Sequence, residues 1–276
     1  MDPDMASQKL RRDIAHRDVE PVGYLDTVSA TSFAKQYKAL SYEAMGARAG
    51  ARLLDVGCGP GDDALAMARL VQPGGCVYGV DLNARMVAEA WRRSGHTGLA
   101  ASFQVCDARH LPFETGMFDG VRCDRVLQHL DQPELVLAEM ARVTKPGGRI
   151  VAVEPDWDTF TIDVPARSVS RKVADYMAER SVRSGWIGRQ LYRILRELRM
   201  QSVEVRATSL VLTDLHAADS IWGLSRHARE AVAVGMISDT ERQEWQGQLQ
   251  AADAAGKFFS AACGYLVRAT KPMGGE

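Results

Sequence analysis

The run Arg52-Leu-Leu-Asp-Val-Gly-Cys-Gly-Pro-Gly-Asp-Asp63 constrains this chain more than any other stretch. A short apolar segment ending at Val56 breaks into Gly57, Gly59 and Gly61, and Ala64-Leu65-Ala66-Met67-Ala68 then resumes as a strong helix former. The pattern predicts a strand, a tight glycine turn and a helix N-terminus. Glycines without Cβ let a ligand lie against the backbone, and the unpaired N–H groups opening a helix favour a carboxylate or a phosphate. A nucleotide-like cofactor on this turn is the first functional expectation.

Spacing narrows the choice. A dinucleotide fingerprint, G-x-G-x-x-G, would place its third glycine at Asp62, whereas the glycine stands at Gly61. Downstream, Cys76-Val-Tyr-Gly-Val80 reads as a second strand ending in Asp81, whose carboxylate can accept both hydroxyls of a ribose. NAD and S-adenosylmethionine (SAM) share that need, so Asp81 alone does not separate them.

From Ala51 to Arg149, β-rich runs alternate with helical patterns, which predicts a parallel sheet with right-handed crossovers. Strands are expected near 52–56, 76–80, 102–106, 118–122 and 149–154. Ligands on such sheets bind beyond the carboxyl ends of the strands, where Gly57, Asp81, Asp107 and Cys123 would converge. The net charge of −1, with no basic block, argues against nucleic acid as the partner. No apolar run is long enough for a membrane span and the first residues lack the apolar core of a signal peptide, so a cytoplasmic protein is expected. The five cysteines, at 58, 76, 106, 123 and 263, contain no C-x-x-C pair and read as buried reduced thiols; no metal set is expected.

Five blocks in order resemble the class I SAM-dependent methyltransferases. They are Leu54-Asp-Val-Gly-Cys-Gly-Pro-Gly61, Gly79-Val-Asp-Leu82, Asp107-Ala-Arg-His-Leu-Pro-Phe113, Phe118-Asp119 and Lys145-Pro-Gly-Gly-Arg149. The resemblance is greatest to the branch around the ubiquinone/menaquinone-biosynthesis enzymes, which also holds many natural-product methyltransferases. It implies an α/β, Rossmann-like fold: a mainly parallel seven-stranded sheet with a final antiparallel strand, helical lid insertions and N-terminal helices. It also implies roles. Gly57 and Gly59 would expose backbone to the methionine part of SAM and Asp55 would hold its ammonium. Asp81 would bind the ribose, Leu82 and Met86 would pack on the adenine, and Asp107 with Ala108 would read its amino edge. The fourth strand end, at Cys123, would contact cofactor and substrate together. In related O-methyltransferases a His on the next helix pairs with an Asp past the fifth strand to deprotonate a hydroxyl; His129 and Asp156 match those positions.

The expected organisation is an N-terminal helical cap at 1–46, a SAM-binding core at 47–155, a helical lid at 156–200, and C-terminal strands at 201–276 with a helical insertion at 215–257. Helices are expected over Ser7–His16, Thr27–Met45, Ala166–Arg183 and from Trp186, with strands over Val203–Leu212 and Phe259–Thr270. Tyr24 and Tyr37 on the cap, and Trp157, Phe160, Trp186 and Trp222 in the lid, are the candidate substrate contacts. A lid so rich in aromatics predicts a large apolar acceptor, aromatic or prenylated. Two chemistries stay open: O- or N-methylation with His129 as base, or C-methylation of an alkene, which needs no base and leaves a carbocation that aromatics can stabilise. Such alkene methylation followed by ring closure occurs in the teleocidin-type indole alkaloid pathway. A SAM-binding protein that transfers no methyl, acting as a pericyclic catalyst or interaction module, is the alternative. Homo-oligomers would form through the N-terminal helices.

Overall fold

The computed structural model describes residues 31–274. Tyr24 and the helix expected over Ser7–His16 lie outside them. Among the described residues the first helix, α1, covers Ser32–Ala44 and begins where the Thr31 hydroxyl accepts the Ala34 N–H at 3.1 Å. Seven strands follow: β1 Arg52–Val56, β2 Cys76–Asp81, β3 Ala101–Val105, β4 Phe118–Asp124, β5 Thr144–Ile162, β6 Gln201–Leu212 and β7 Ser260–Thr270. They form one sheet in the order β3-β2-β1-β4-β5-β7-β6, parallel through β5, with β7 antiparallel to both of its neighbours. The order reverses between β1 and β4, so the crevice for a ligand opens there.

Helices cover both faces, so β1 is buried from Leu53 to Val56. On one face α1, α2 (Asp62–Leu70) and α3 (Ala84–Ser94) pack through Tyr37, Met67, Val87 and Ala90. On the other, α4 (Pro133–Val143) and α6 (Ile187–Glu197) contribute Leu137, Met140, Leu191 and Leu195. Each of these fully buried leucines contributes roughly 1.5–3 kcal/mol of transfer free energy. A third cluster belongs to the lid. It joins Phe160 and Ile162 to α5 (Arg167–Tyr176), α7 (Leu215–Trp222), α8 (Leu224–Ala233) and α9 (Asp239–Ala254).

Three elements differ from expectation. Strand β5 does not end near 154 but continues to Ile162, because β7 offers a partner along that length, with a register shift between Asp156 and Thr161. Pro155 and the acidic residues around it read as a loop in isolation. The helix expected over Ala166–Arg183 is α5 followed by a π turn, Met177–Ser181. The helical stretch after His216 is three helices, α7 to α9, with Gly223 in the left-handed region ending α7.

Candidate active site

The first turn is held from below. The N–H groups of Gly57 and Cys58 both donate to the Val80 carbonyl, at 2.7 and 2.9 Å. Asp81 then accepts from the Gly59 N–H at 2.9 Å and the Asn83 N–H at 2.8 Å, one on each carboxylate oxygen. Each oxygen keeps a second lone pair for a ligand hydroxyl. Burial raises the Asp81 carboxyl above its ordinary range, against the pull of the two N–H donors. Gly57 has φ +71°, and a Cβ there would stand 2.2 Å from the Val126 side chain. The glycine is therefore required twice over, by conformation and by contact with the fourth turn.

The start of α2 is no phosphate seat. Its first turn carries Asp62 and Asp63, which already serve the positive helix end. Asp62 pairs with Arg93 at 2.7 Å. Asp63 is bound by Lys38 at 2.9 Å, by the Tyr42 hydroxyl at 2.7 Å and by Arg122 at 3.2 Å. A diphosphate would meet like charge here, whereas a cation would be welcome.

Arg122 organises the floor between β1 and β4. It is almost fully buried, and its guanidinium reaches Asp55 at 3.1 Å, Asp63 at 3.2 Å, Asp124 at 2.7 Å and the Ser41 hydroxyl at 2.8 Å. Its face lies 5.3 Å from the Tyr42 ring. Burial opposes the charge, but the three carboxylates win and hold Arg122 more firmly protonated than usual. Burial pushes the Asp55 carboxyl up to about 7 despite Arg122. For Asp63 burial also acts upward, yet Arg122, Lys38 and Tyr42 together bring it well below the usual carboxylate range. Tyr37 joins this network, its hydroxyl donating to Asp124 at 3.1 Å.

The fourth turn has no glycine. It is shaped instead by Glu154, a fully buried carboxylate on β5 that accepts the Val126 and Leu127 N–H groups at 2.8 and 2.6 Å. These open the 3-10 turn Leu127–His129. Burial raises Glu154 to about 8, against those donors. Arg125 takes up φ +56°, and its N–H is fixed to the Val153 carbonyl at 2.8 Å. Gln128 ties the turn to the lid: its carbonyl accepts the Arg183 and Ser184 N–H groups, both at 3.0 Å, and its side-chain oxygen accepts the Trp157 indole N–H at 2.7 Å.

The other expected residues are distributed unevenly. Leu82 is half-buried beside Asp81 at the end of β2, and Met86 is buried on α3. Asp107 and Ala108 follow β3, but the Asp107 carboxylate is chelated by Arg109 through both oxygens, at 3.0 and 2.6 Å. Asp55 is too buried and too occupied by Arg122 to offer a ligand a direct bond. Cys123 is fully buried in the core beneath the turn, so its thiol does not face the crevice. His129 ends the 3-10 turn, half-buried. Asp156 is fully buried, and Arg189 on α6 clasps both its oxygens. Phe160 and Trp222 pack edge-to-face within the lid cluster, Trp157 leans on Trp222, and Trp186 is 43% exposed. The lid aromatics therefore build the lid's own core more than a shared pocket wall.

Known proteins can now be set beside this geometry. Residues 54–152 match a family model described as a methyltransferase domain. An uncharacterised 37.1 kDa protein from a Streptomyces fradiae transposon is 41% identical over 248 residues, 90% of this chain and 70% of its own length. The ubiquinone/menaquinone biosynthesis C-methyltransferase UbiE of Cellvibrio japonicus is 38% identical over 120 residues, 43% of this chain and 48% of that one. Residues 54–152 thus form a domain of the class I SAM-dependent methyltransferases. This methyltransferase spans only about half of that UbiE relative. Its fold matches the YcgJ protein from Bacillus, TM-score 0.61 at 21% identity over 87% of this chain and all of the other. It also matches a Streptomyces coelicolor geranyl diphosphate C-methyltransferase, TM-score 0.53 at 19% identity over 86% and 76%. SAM is its cofactor, and the acidic floor with a bare glycine turn suits that cation.

Around these turns the structure gathers residues that motif reading passed over: Arg122, Asp63, Asp124, Glu154, Gln128 and Arg189. One signal was present for the first. An arginine in the middle of an apolar run, Gly120-Val-Arg-Cys123, is out of place in a central parallel strand unless carboxylates wait for it.

Proposed function

We propose that this methyltransferase methylates carbon in a small, apolar, prenylated or aromatic metabolite. One observation supports the choice of carbon over oxygen or nitrogen: Asp156, the expected partner of a His129 base, is ion-paired with Arg189 through both oxygens. An alkene acceptor needs no such base at the start. The UbiE relative's name, a C-methyltransferase, supports the same reading.

When bound, SAM supplies an electrophilic methyl group on a sulfonium. The chain's part is alignment and exclusion of water, an orientation effect of several kcal/mol. Asp81 would hold the ribose hydroxyls, Gly57 and Gly59 would let the methionine portion lie on the backbone, and Leu82, Met86, Asp107 and Ala108 would frame the adenine. The Cys123 carbonyl end of β4, with Tyr37 and Asp124, would face the reacting end. Trp157, pinned by Gln128 at the junction of lid and turn, is the aromatic best placed to meet an acceptor cation. Trp186 would meet the acceptor at the mouth, while Phe160 and Trp222 would support Trp157 from behind.

The test is transfer of label from isotope-labelled SAM into bacterial metabolite extracts, with products read by mass spectrometry. A new carbon-bound label is expected, and His129→Asn should keep turnover within about tenfold. A product labelled on oxygen or nitrogen, with a loss of about a hundredfold or more in His129→Asn, would overturn the choice of carbon. Label that never leaves SAM, with an unlabelled isomerised product, would favour the non-transferring alternative.

A further inference from the structure

Strand β6 is the edge of the sheet, and nothing among the described residues covers its outer side. It is long, 12 residues, and contains neither proline nor lysine, two means of discouraging edge pairing; its register shift against β7 lies at its start, between Gln201 and Glu204. Val205 is 46% and Val211 48% exposed, unusual for branched apolar residues within a strand. Arg206 is exposed and makes no ion pair among the described residues. Unpaired backbone donors, exposed valines and an unpaired cation on one edge call for a further strand.

The sequence Val203-Glu-Val-Arg-Ala207 specifies which strand that is. In an antiparallel pair of identical strands, the dyad stands normal to the sheet and facing residues share a face. A dyad at Val205 sets Val205 against itself, Val203 against Ala207 of the second copy, and Glu204 against Arg206 of the second copy, twice. Moving the dyad to Glu204 or to Arg206 would oppose like charges, and moving it to Ala207 would set Glu204 against Leu210. Directly opposed unlike charges stabilise a strand pair and like charges disfavour it. Only the register at Val205 satisfies both charges, and it joins the Val203, Val205 and Ala207 stripes of the two copies into one apolar seam. Glu204 also touches Arg268 of its own chain, which leaves its carboxylate between two cations.

We propose that two copies of this chain pair through β6, antiparallel about Val205, into a dimer with one continuous sheet. The substitution Val205→Cys tests it directly. Facing residues of an antiparallel pair have Cα atoms about 4.5–5.5 Å apart, within disulfide range. Mild oxidation should convert the full-length variant to a linked pair of about twice 30.2 kDa. Ser209→Cys, whose copies would lie roughly 27 Å apart, should not link, and nor should the parent chain with its five cysteines. Arg206→Glu, which opposes four carboxylates across the dyad, should weaken the dimer about tenfold or more in sedimentation at low salt. All three positions are exposed, so folding is not at stake. A monomer at every concentration, or an assembly in which Val205→Cys forms no linked pair, would overturn the proposal.

Discussion

The first and fourth βα turns flank the same crevice, yet they reach their shapes by opposite means. The first is made by absence: Gly57, Gly59 and Gly61 all sit at positive φ, and the backbone lies bare. The fourth is made by presence: Arg125 carries a side chain at φ +56°, and a buried glutamate from the next strand gathers its N–H groups. A turn written in glycine is encoded where it stands. A turn held by a distant carboxylate is encoded 26 to 28 residues away and cannot be seen locally.

The sharpest way to break this contrast is to give the first turn a side chain. Gly57→Ala would add strain at φ +71° and drive a methyl group into Val126. Unfolding by denaturant should show a loss of about 3 kcal/mol. Val126→Ala in the same chain should return about 1 kcal/mol of it, since part of the loss is one contact between the two turns. Strict additivity would mean that the turns do not touch in solution.

Next in size is Asp81→Ala. Two charge-assisted bonds of roughly 1.5 kcal/mol each go with it, so SAM affinity should fall about a hundredfold in calorimetry. The Gly59 N–H also loses its acceptor, so the first turn should loosen as well. Unchanged affinity would remove Asp81 from the ribose.

The fourth turn answers to a gentler change. With its carboxyl raised to about 8, Glu154 carries a proton at neutral pH, and glutamine is then a close copy. Below pH 4.5, where the group is neutral in both the folded and the unfolded chain, Glu154→Gln should alter stability by less than about 1 kcal/mol, whereas Glu154→Ala, which strands two buried N–H groups, should cost roughly 2–4 kcal/mol. The pH profile gives a second reading of the same proton. The folded chain keeps this proton up to about 8 while the unfolded chain loses it near 4.5, so folding takes up a proton between those values. Stability from this group is present below pH 4.5 and declines as pH rises towards 8. The glutamine variant should lack that decline, and its stability relative to the parent should grow with pH. A parallel pair of profiles would show that Glu154 is ionised throughout.

The same contrast explains what was legible in the sequence. Strands β1 to β4 fall within two residues of expectation, because period, glycine and apolar runs are local signals. Asp81 was legible for the same reason: it ends a strand beside the glycine turn. The partners of Arg122 were not, since Asp55, Asp63 and Asp124 come from three elements and only the sheet order brings them together. The pairing of Asp156 with Arg189 was hidden likewise, because it depends on where α6 crosses the sheet. The continuation of β5 depends on β7, more than a hundred residues later in the chain.

That long β5 bears on how such a protein could be re-engineered. A strand that carries Glu154 and Asp156 and arrives in the lid at Phe160 and Ile162 joins the cofactor half to the lid directly, its pairing with β7 shifting register between Asp156 and Thr161. A chimaera that exchanged lids at residue 156 would sever a paired strand. The unit that can be transplanted whole is the 157–162 arm together with the segment around 260–263 that pairs with it, and both must come from the same donor.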